Sequence, residues 1–199
     1  NYRPISLTCV TIKVLEHIVT SHIMCFAETD NLLFENQRGF RKDRGCENQL
    51  VEFLSDSRNL DERSQTEACI MDSTKAFDKV NHQKLVTKLQ DRGICYQICS
   101  WIEDFLCDRS QQVAVEDKLS GTAEVTSGVP QGSVVGPTLF LFYIDDLPHG
   151  LHSTVRLFAD DTIVYNTETN ASDLQDDLKN LEEWEASWEM EFHLPSVSI

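Results

Sequence analysis

The chain has 199 residues, 41% of them hydrophobic, which is enough to bury a sizeable core in one domain or at most two. Its formal net charge of -16 argues against strong autonomous nucleic-acid binding, because basic contacts to phosphate supply most non-specific affinity. The acid excess is uneven: residues 168–191 carry nine acidic side chains against Lys179 alone, whereas Arg38, Arg41, Lys42 and Arg44 make one local basic site.

In chain order, the opening Asn1-Tyr-Arg-Pro-Ile-Ser-Leu7 has no basic region followed by an apolar one, so no signal peptide is expected. Residues 11–26 place Ile12, Leu15, Ile18, Val19 and Phe26 at helical spacing, which predicts an amphipathic helix. Residues 32–44 break that pattern. A second helix is predicted over 47–60, with Leu50, Val51, Leu54 and Leu60 on one face, followed by the polar link 61–65 and a short strand, 68–71, ending at Asp72. Residues 82–92 read as a helix stopped by Gly93, and 96–107 as another, carrying Ile98, Trp101, Ile102, Phe105 and Leu106. Alternation over 111–115 and 123–126, around residues 117–121, gives a hairpin.

The Gly/Pro-rich stretch 128–137 leads into a helix that is apolar all round and therefore buried. Residues 154–159 and 162–165 are two strands meeting at Asp160-Asp161, and Leu174, Leu178, Leu181, Trp184 and Trp188 mark a long amphipathic helix. Helices mixed with antiparallel hairpins give an α+β class. The longest apolar run, 139–144, falls well short of the roughly 20 residues of a membrane span, so the expectation is an intracellular protein, nuclear or cytoplasmic, with no membrane partner. Seven cysteines, an odd number scattered through segments that read as core, suggest free thiols serving as small buried hydrophobes in a reducing compartment. Cys95, Cys99 and Cys107 lack the tight pairing of a zinc site, and the pairs His17/His22 and His149/His152 lack ligand company.

Three features converge on metal-assisted chemistry. Asp72 ends a buried strand, Asp160-Asp161 joins two apolar strands, and the loop Gly128-Val-Pro-Gln-Gly-Ser133 combines glycines that permit close backbone approach with Gln131, both a donor and an acceptor. Carboxylates meeting from separate strands suit Mg²⁺, which prefers oxygen ligands and keeps waters and substrate phosphates in its shell. Two such ions about 3.5 to 4 Å apart serve phosphoryl transfer.

A second acidic pair, Asp145-Asp146 in Tyr143-Ile-Asp-Asp146, resembles the Tyr-x-Asp-Asp signature of retroviral reverse transcriptases. Its flanks decide against it: a buried helix precedes it and Leu147-Pro-His-Gly150 follows, where proline and glycine forbid a regular second strand, so capping and turn formation are its expected work. Asp160-Asp161, between β-prone arms, is the better candidate.

Asp72-Ser-Thr-Lys-Ala-Phe-Asp78-Lys-Val80, Gly128-Val-Pro-Gln-Gly-Ser-Val-Val-Gly-Pro137 and Phe158-Ala-Asp-Asp161, in that order, resemble the successive catalytic motifs of the reverse transcriptase of non-LTR, LINE-type retrotransposons. Asn1-Tyr-Arg-Pro-Ile-Ser-Leu7, Gln37-Arg-Gly-Phe-Arg41 and residues 184–192 are similar to further segments of that family.

The resemblance implies a right-hand polymerase over residues 1–199, about 1–66 fingers-like and about 67–199 mostly palm, with an antiparallel palm sheet packed on helices. It would be incomplete at the C-terminus and would lack the thumb. The implied activity is RNA-directed DNA polymerase: two-metal nucleotidyl transfer from dNTPs to a primer 3′-OH, on an RNA template with a DNA primer. Asp72 and Asp160 would be ligands of two Mg²⁺ ions, with Mn²⁺ an allowed substitute, and Asp161 a nearby helper. Phe77 matches the family's aromatic gate against a ribonucleotide 2′-OH. Gln131 and Gly132 would line the incoming nucleotide, and Arg41, helped by Lys42, would hold the triphosphate.

The chain also departs from the pattern. The family commonly carries Asn-Asp where this chain has Asp145-Asp146, and a larger apolar residue where it has Ser73. No lysine follows Lys179, where the family usually supplies one. The rival readings are a truncated, inactive retrotransposon relic acting as a fold or interaction module, and a metal nuclease, which leaves Phe77 and Gln131 without a role.

Overall fold

The computed structural model describes residues 4–58, 67–116, 118–166 and 171–193. Its elements are, in chain order, α1 (Val10–Thr29), α2 (Cys46–Arg58), β1 (Glu67–Ser73), α3 (Ala76–Lys79), α4 (His82–Asp91), α5 (Tyr96–Leu106), β2 (Arg109–Gln111), β3 (Ala114–Val115), β4 (Lys118–Leu119), β5 (Ala123–Val125), α6 (Gly136–Ile144), β6 (Thr154–Phe158), β7 (Asp161–Asn166), α7 (Ala171–Trp188) and β8 (Phe192–His193). They fall into two compact units interleaved in sequence, Asn1–Leu32 with Phe77–Tyr143, and Leu33–Ala76 with Ile144–Ile199.

The first unit is mainly helical. α4 starts where the Asn81 side chain accepts the Lys84 N–H at 3.1 Å, and it stops where Gly93 takes a φ of 82°. It buries Leu85 and Leu89, one turn apart, and α5 buries Cys99, Ile102 and Leu106. Replacing Asn81 by alanine is expected to cost about 1 kcal/mol in denaturant unfolding, the usual loss when an N-cap acceptor disappears. α6 is buried all round as its composition predicts: none of Leu139, Phe140, Leu141, Phe142 and Tyr143 is more than 1% exposed. The predicted hairpin consists of two small ribbons, β2 with β5 and β3 with β4, rather than one pair of longer strands. Asp117, in its predicted turn, lies outside the described residues.

α1 corrects the sequence reading of its face. Ile12, Leu15, Ile18 and Phe26 are exposed, and the buried residues are Glu16, Ile23 and Ala27. The cause is polar: a Glu16 carboxylate oxygen accepts the N–H groups of Val134 at 2.6 Å and Val135 at 3.2 Å, just ahead of α6, where helix-terminal donors need an acceptor. Hydrophobic spacing cannot register that demand. By length and composition α1 is long and apolar enough to cross a membrane, and the two bonds to Glu16 join its middle to the start of α6.

The second unit is built on a four-stranded sheet in the order β6-β7-β1-β8, antiparallel throughout. Alternation sets its faces: Met71 and Ser73 on β1 are buried, while Ile70 and Asp72, which alternate with them, are exposed. α7 buries Leu174, Asp177 and Leu181. Asp177 is fully buried because it accepts the N–H groups of His152 at 2.9 Å and Ser153 at 2.7 Å; burial opposes its ionisation, yet these donors hold its carboxyl below the ordinary range.

α2 also turns a face other than the one its leucines predict. Leu50, Val51 and Leu54 are exposed. Its polar residues instead answer the buried Arg156 of β6, whose guanidinium donates to Glu52 at 2.5 Å, Asp56 at 2.7 Å and the Tyr165 hydroxyl at 2.8 Å. Arg38 adds a 2.6 Å ion pair to Glu52. Burial and the Asp56 carboxylate push the Tyr165 phenol up to about 12. Leu60 and the link 61–65 lie outside the described residues.

The cysteines are free thiols, but only Cys99 is buried and Cys69 half-buried. Cys9, Cys46, Cys95 and Cys107 are exposed because they sit at helix termini, and Cys25 because it lies on the open side of α1.

Candidate active site

Asp72 lies inside β1, one residue before its end, directly across from Asp161, the first residue of β7. Phe158 of β6 also pairs with Asp161, which leaves Ala159 and Asp160 as a two-residue turn. The sequence reading, which has the strands meet at both aspartates, is thus displaced by one residue: Asp160 belongs to the turn and Asp161 to the strand. Residues directly opposite on an antiparallel pair project from one face with Cβ atoms about 4.5–5.5 Å apart, so the Asp72 and Asp161 carboxylates stand side by side. Burial raises the Asp161 carboxyl above its ordinary range, and the charges of Asp160 and Asp72 push it the same way. The Ser73 hydroxyl donates to the Asp160 carbonyl at 3.3 Å, which gives this departure from the family pattern a structural use.

Among the described residues no group of three or more His, Cys, Asp or Glu side chains forms a ready-made metal cage. A pair of carboxylates with a third beside it nevertheless suits Mg²⁺, which is usually bound through one or two carboxylates plus water and substrate phosphates. The donors are all oxygen and their charges repel, a repulsion that a divalent ion would relieve.

The rival pair is otherwise engaged. Asp145 is 5% exposed and accepts the Phe34 N–H at 2.5 Å, and Asp146 accepts the Trp184 indole N–H at 2.9 Å.

In the first unit, the loop after β5 is knitted to residues 77–80. Gly128 N–H donates to the Val80 carbonyl at 2.8 Å, Val129 N–H to that of Phe77 at 2.7 Å, the Ser127 hydroxyl to that of Asp78 at 2.8 Å, and the Gln131 amide to the Asp78 carboxylate at 3.0 Å. Gly128 has a φ of 86°, and a Cβ there would stand 2.7 Å from the Asp78 Cα, so both conformation and space require glycine. Gly132 is exposed with a φ of 88°. The Phe77 ring stacks on Phe140 with centroids 4.5 Å apart. Asp78, to which the sequence reading gives no role, orients Gln131; its place in the stretch 72–80 was the available signal.

His82 and Arg109 hold the same loop: the His82 Nε2 lies 2.9 Å and the Arg109 guanidinium 2.5 Å from the Gly128 carbonyl. Burial lowers the His82 pKa below 6.5, the Gly128 contact opposes this, and the nearby Arg109 charge adds to the lowering. The folded chain therefore binds fewer protons at His82 than the unfolded chain. Its contribution to stability is full above pH 6.5 and is lost as pH falls from there towards the lowered folded value. Denaturation midpoints across that window should fall with pH in the wild type and more shallowly in His82→Gln.

The basic cluster is less open than its sequence suggests. Arg41 is 8% exposed and donates to the carbonyls of Phe34 at 2.8 Å and Gln37 at 3.5 Å; Arg44 donates to that of Glu35, and Arg38 pairs with Glu52. Irregular backbone over 34–44 leaves carbonyls that need donors, and these guanidiniums supply them. Lys42 is exposed.

The chain belongs to the reverse transcriptase (RNA-dependent DNA polymerase) family, whose profile matches residues 1–195. Its similar relatives are polymerases of non-LTR retrotransposons. It is 30% identical over 203 residues to the RNA-directed DNA polymerase from mobile element jockey of Drosophila funebris, and 31% identical over 198 residues to the probable RNA-directed DNA polymerase from transposon X-element of Drosophila melanogaster. Each match covers 94% of this chain and 22% of the relative, so the chain spans about a fifth of their length. Among solved structures, telomerase from Candida tropicalis, in complex with a fragment of telomeric RNA, superposes with a TM-score of 0.59 at 9% identity. That match covers 94% of this chain and 34% of the telomerase chain, and it supports a reverse transcriptase-like fold of mixed helices and antiparallel sheet.

Proposed function

We infer that this chain carries the nucleotidyl-transfer centre of an RNA-directed DNA polymerase, which adds dNTPs to a primer 3′-OH on an RNA template. The observation behind this reading is the pairing of Asp72 with Asp161 across adjacent strands, with Asp160 in the turn beside them. When bound, two Mg²⁺ ions, or Mn²⁺ in their place, supply charge stabilisation to the attacking and leaving oxygens. Asp72 and Asp160 would hold the ions, with Asp161 adding a third negative charge. The β1–β7 ladder fixes the spacing of Asp72 and Asp161, and Ser73 steadies the Asp160 backbone.

The remaining roles follow residue by residue. Phe77 would bar a ribose 2′-OH, its ring kept in place by stacking on Phe140. Gln131, oriented by Asp78, and Gly132 would line the nucleotide. Lys42 is the exposed member of the pair proposed for the triphosphate, and Arg41 would have to leave its backbone acceptors to join it. In right-hand terms, residues from about 67 onward would be mostly palm and those before it fingers.

A competing reading, a catalytically silent fold, draws its support from that commitment of Arg41 to backbone carbonyls. Primer extension with dNTPs, Mg²⁺ and an RNA template separates them. Template-dependent extension that stops when Mg²⁺ is chelated is expected. Strand cleavage without dNTPs would favour a nuclease, and a folded chain yielding neither product would favour the silent fold.

A further inference from the structure

The turn that carries Asp160 is held from outside its hairpin. Ala159 adopts a φ of 55° at the first of the two turn residues, a place that two-residue hairpins commonly give to glycine. A residue with a side chain stays in that region only where its surroundings fix it. Those surroundings are residues 36–39. Leu157 N–H donates to the Asn36 carbonyl at 3.1 Å and Arg38 N–H to the Leu157 carbonyl at 2.9 Å, so this segment runs parallel to β6 and meets it at a Gln37–Leu157 bridge.

From there the Gln37 side chain, 3% exposed, reaches the turn. Its Oε1 accepts the N–H groups of Ala159 at 3.0 Å and Gly39 at 2.8 Å, while its Nε2 donates to the Ala159 carbonyl at 3.4 Å. A carboxamide meets all three demands; a carboxylate meets the first two, and a thioether meets none well. Gly39 closes on the same residue, for a Cβ there would stand 2.2 Å from the Ala159 nitrogen.

We propose that Gln37 is a positioning residue, whose carboxamide locks Ala159 in its left-handed conformation and so sets where the Asp160 carboxylate stands beside Asp72 and Asp161. The inference rests on reading those carboxylates as a metal centre, and Gln37 acts on that centre through Ala159.

The test uses the full 199-residue chain. Amide hydrogen exchange reads the Ala159 N–H against amides of α7, and electron paramagnetic resonance reads Mn²⁺ binding. Gln37→Met should speed Ala159 exchange about 10-fold or more while α7 keeps its protection. It should also weaken Mn²⁺ binding by about 10-fold, as loss of a group that orients a metal ligand commonly does. Gln37→Glu, which keeps both acceptor bonds, should restore protection at Ala159. Leu181→Ala, a core change on α7, should lower stability without moving the Mn²⁺ affinity. Unchanged Ala159 exchange in Gln37→Met overturns the proposal, as does exchange that quickens equally throughout the chain in both Gln37 variants. A wild-type chain that binds no Mn²⁺ sinks the metal-centre reading alone, and the Ala159 amide then still decides whether Gln37 sets the turn.

Discussion

Asp160→Ala is expected to lower primer extension by about 1,000-fold or more, equivalent to about 4 kcal/mol of lost transition-state stabilisation, with little change in unfolding. Asp160 is a half-exposed turn residue, and the hydrogen bond from Ser73 goes to its backbone carbonyl, which alanine keeps. Asp145→Ala should behave in the opposite way. It removes the buried acceptor of the Phe34 N–H, so stability should drop by about 1–3 kcal/mol while each folded molecule extends at the wild-type rate. Extension kinetics normalised to the folded fraction would separate the two effects; equal kinetic losses from both substitutions would contradict the choice of pair.

Arg156→Met should lower stability by about 2 kcal/mol. Removing one partner of a fully buried ion pair typically costs more, but Glu52 and Asp56 have side chains 37% and 38% exposed, and water screens what is left behind. The pH dependence carries a sign. The hydrogen bond from Arg38, with help from Arg156, holds the Glu52 carboxyl below 4.5 against the effect of burial, and the Tyr165 hydroxyl and Arg156 hold Asp56 below 3.8. Folding therefore favours their charged forms. The stabilisation is present above those ordinary values and is lost as pH falls through the lowered ones. Urea midpoints taken from pH 7 down to pH 3 should converge for wild type and Arg156→Met, since acid removes from the wild type what the substitution already removed.

The strands β1, β6 and β7 of the second unit were legible because each is a short apolar, β-prone run. The hairpin of β6 and β7 and the burial of α6 follow from composition alone. That no strand directly follows Asp145 also follows, since Leu147-Pro-His-Gly150 does not permit one. What escaped the sequence shares one physical cause. The inner side of α1 is set by Glu16 meeting two backbone donors, and that of α2 by carboxylates meeting Arg156. In both helices a polar demand from a distant segment overrides the apolar stripe. The burial of Arg41 was hidden for the same reason, because nothing local reveals that the Phe34 and Gln37 carbonyls accept its donors. The one-residue displacement at Asp161 reflects Ala159 entering the turn in a left-handed conformation that propensity assigns to glycine.

On the proposed reading Asp72 and Asp160, not Asp145, would form the metal centre. Titration of Mn²⁺ followed by electron paramagnetic resonance tests it most directly, using the wild-type chain beside Asp72→Asn, Asp160→Asn and Asp145→Asn. Binding is predicted in the wild type and in Asp145→Asn, and its loss in the other two; binding retained in Asp160→Asn, or lost in Asp145→Asn with the fold intact, would contradict it.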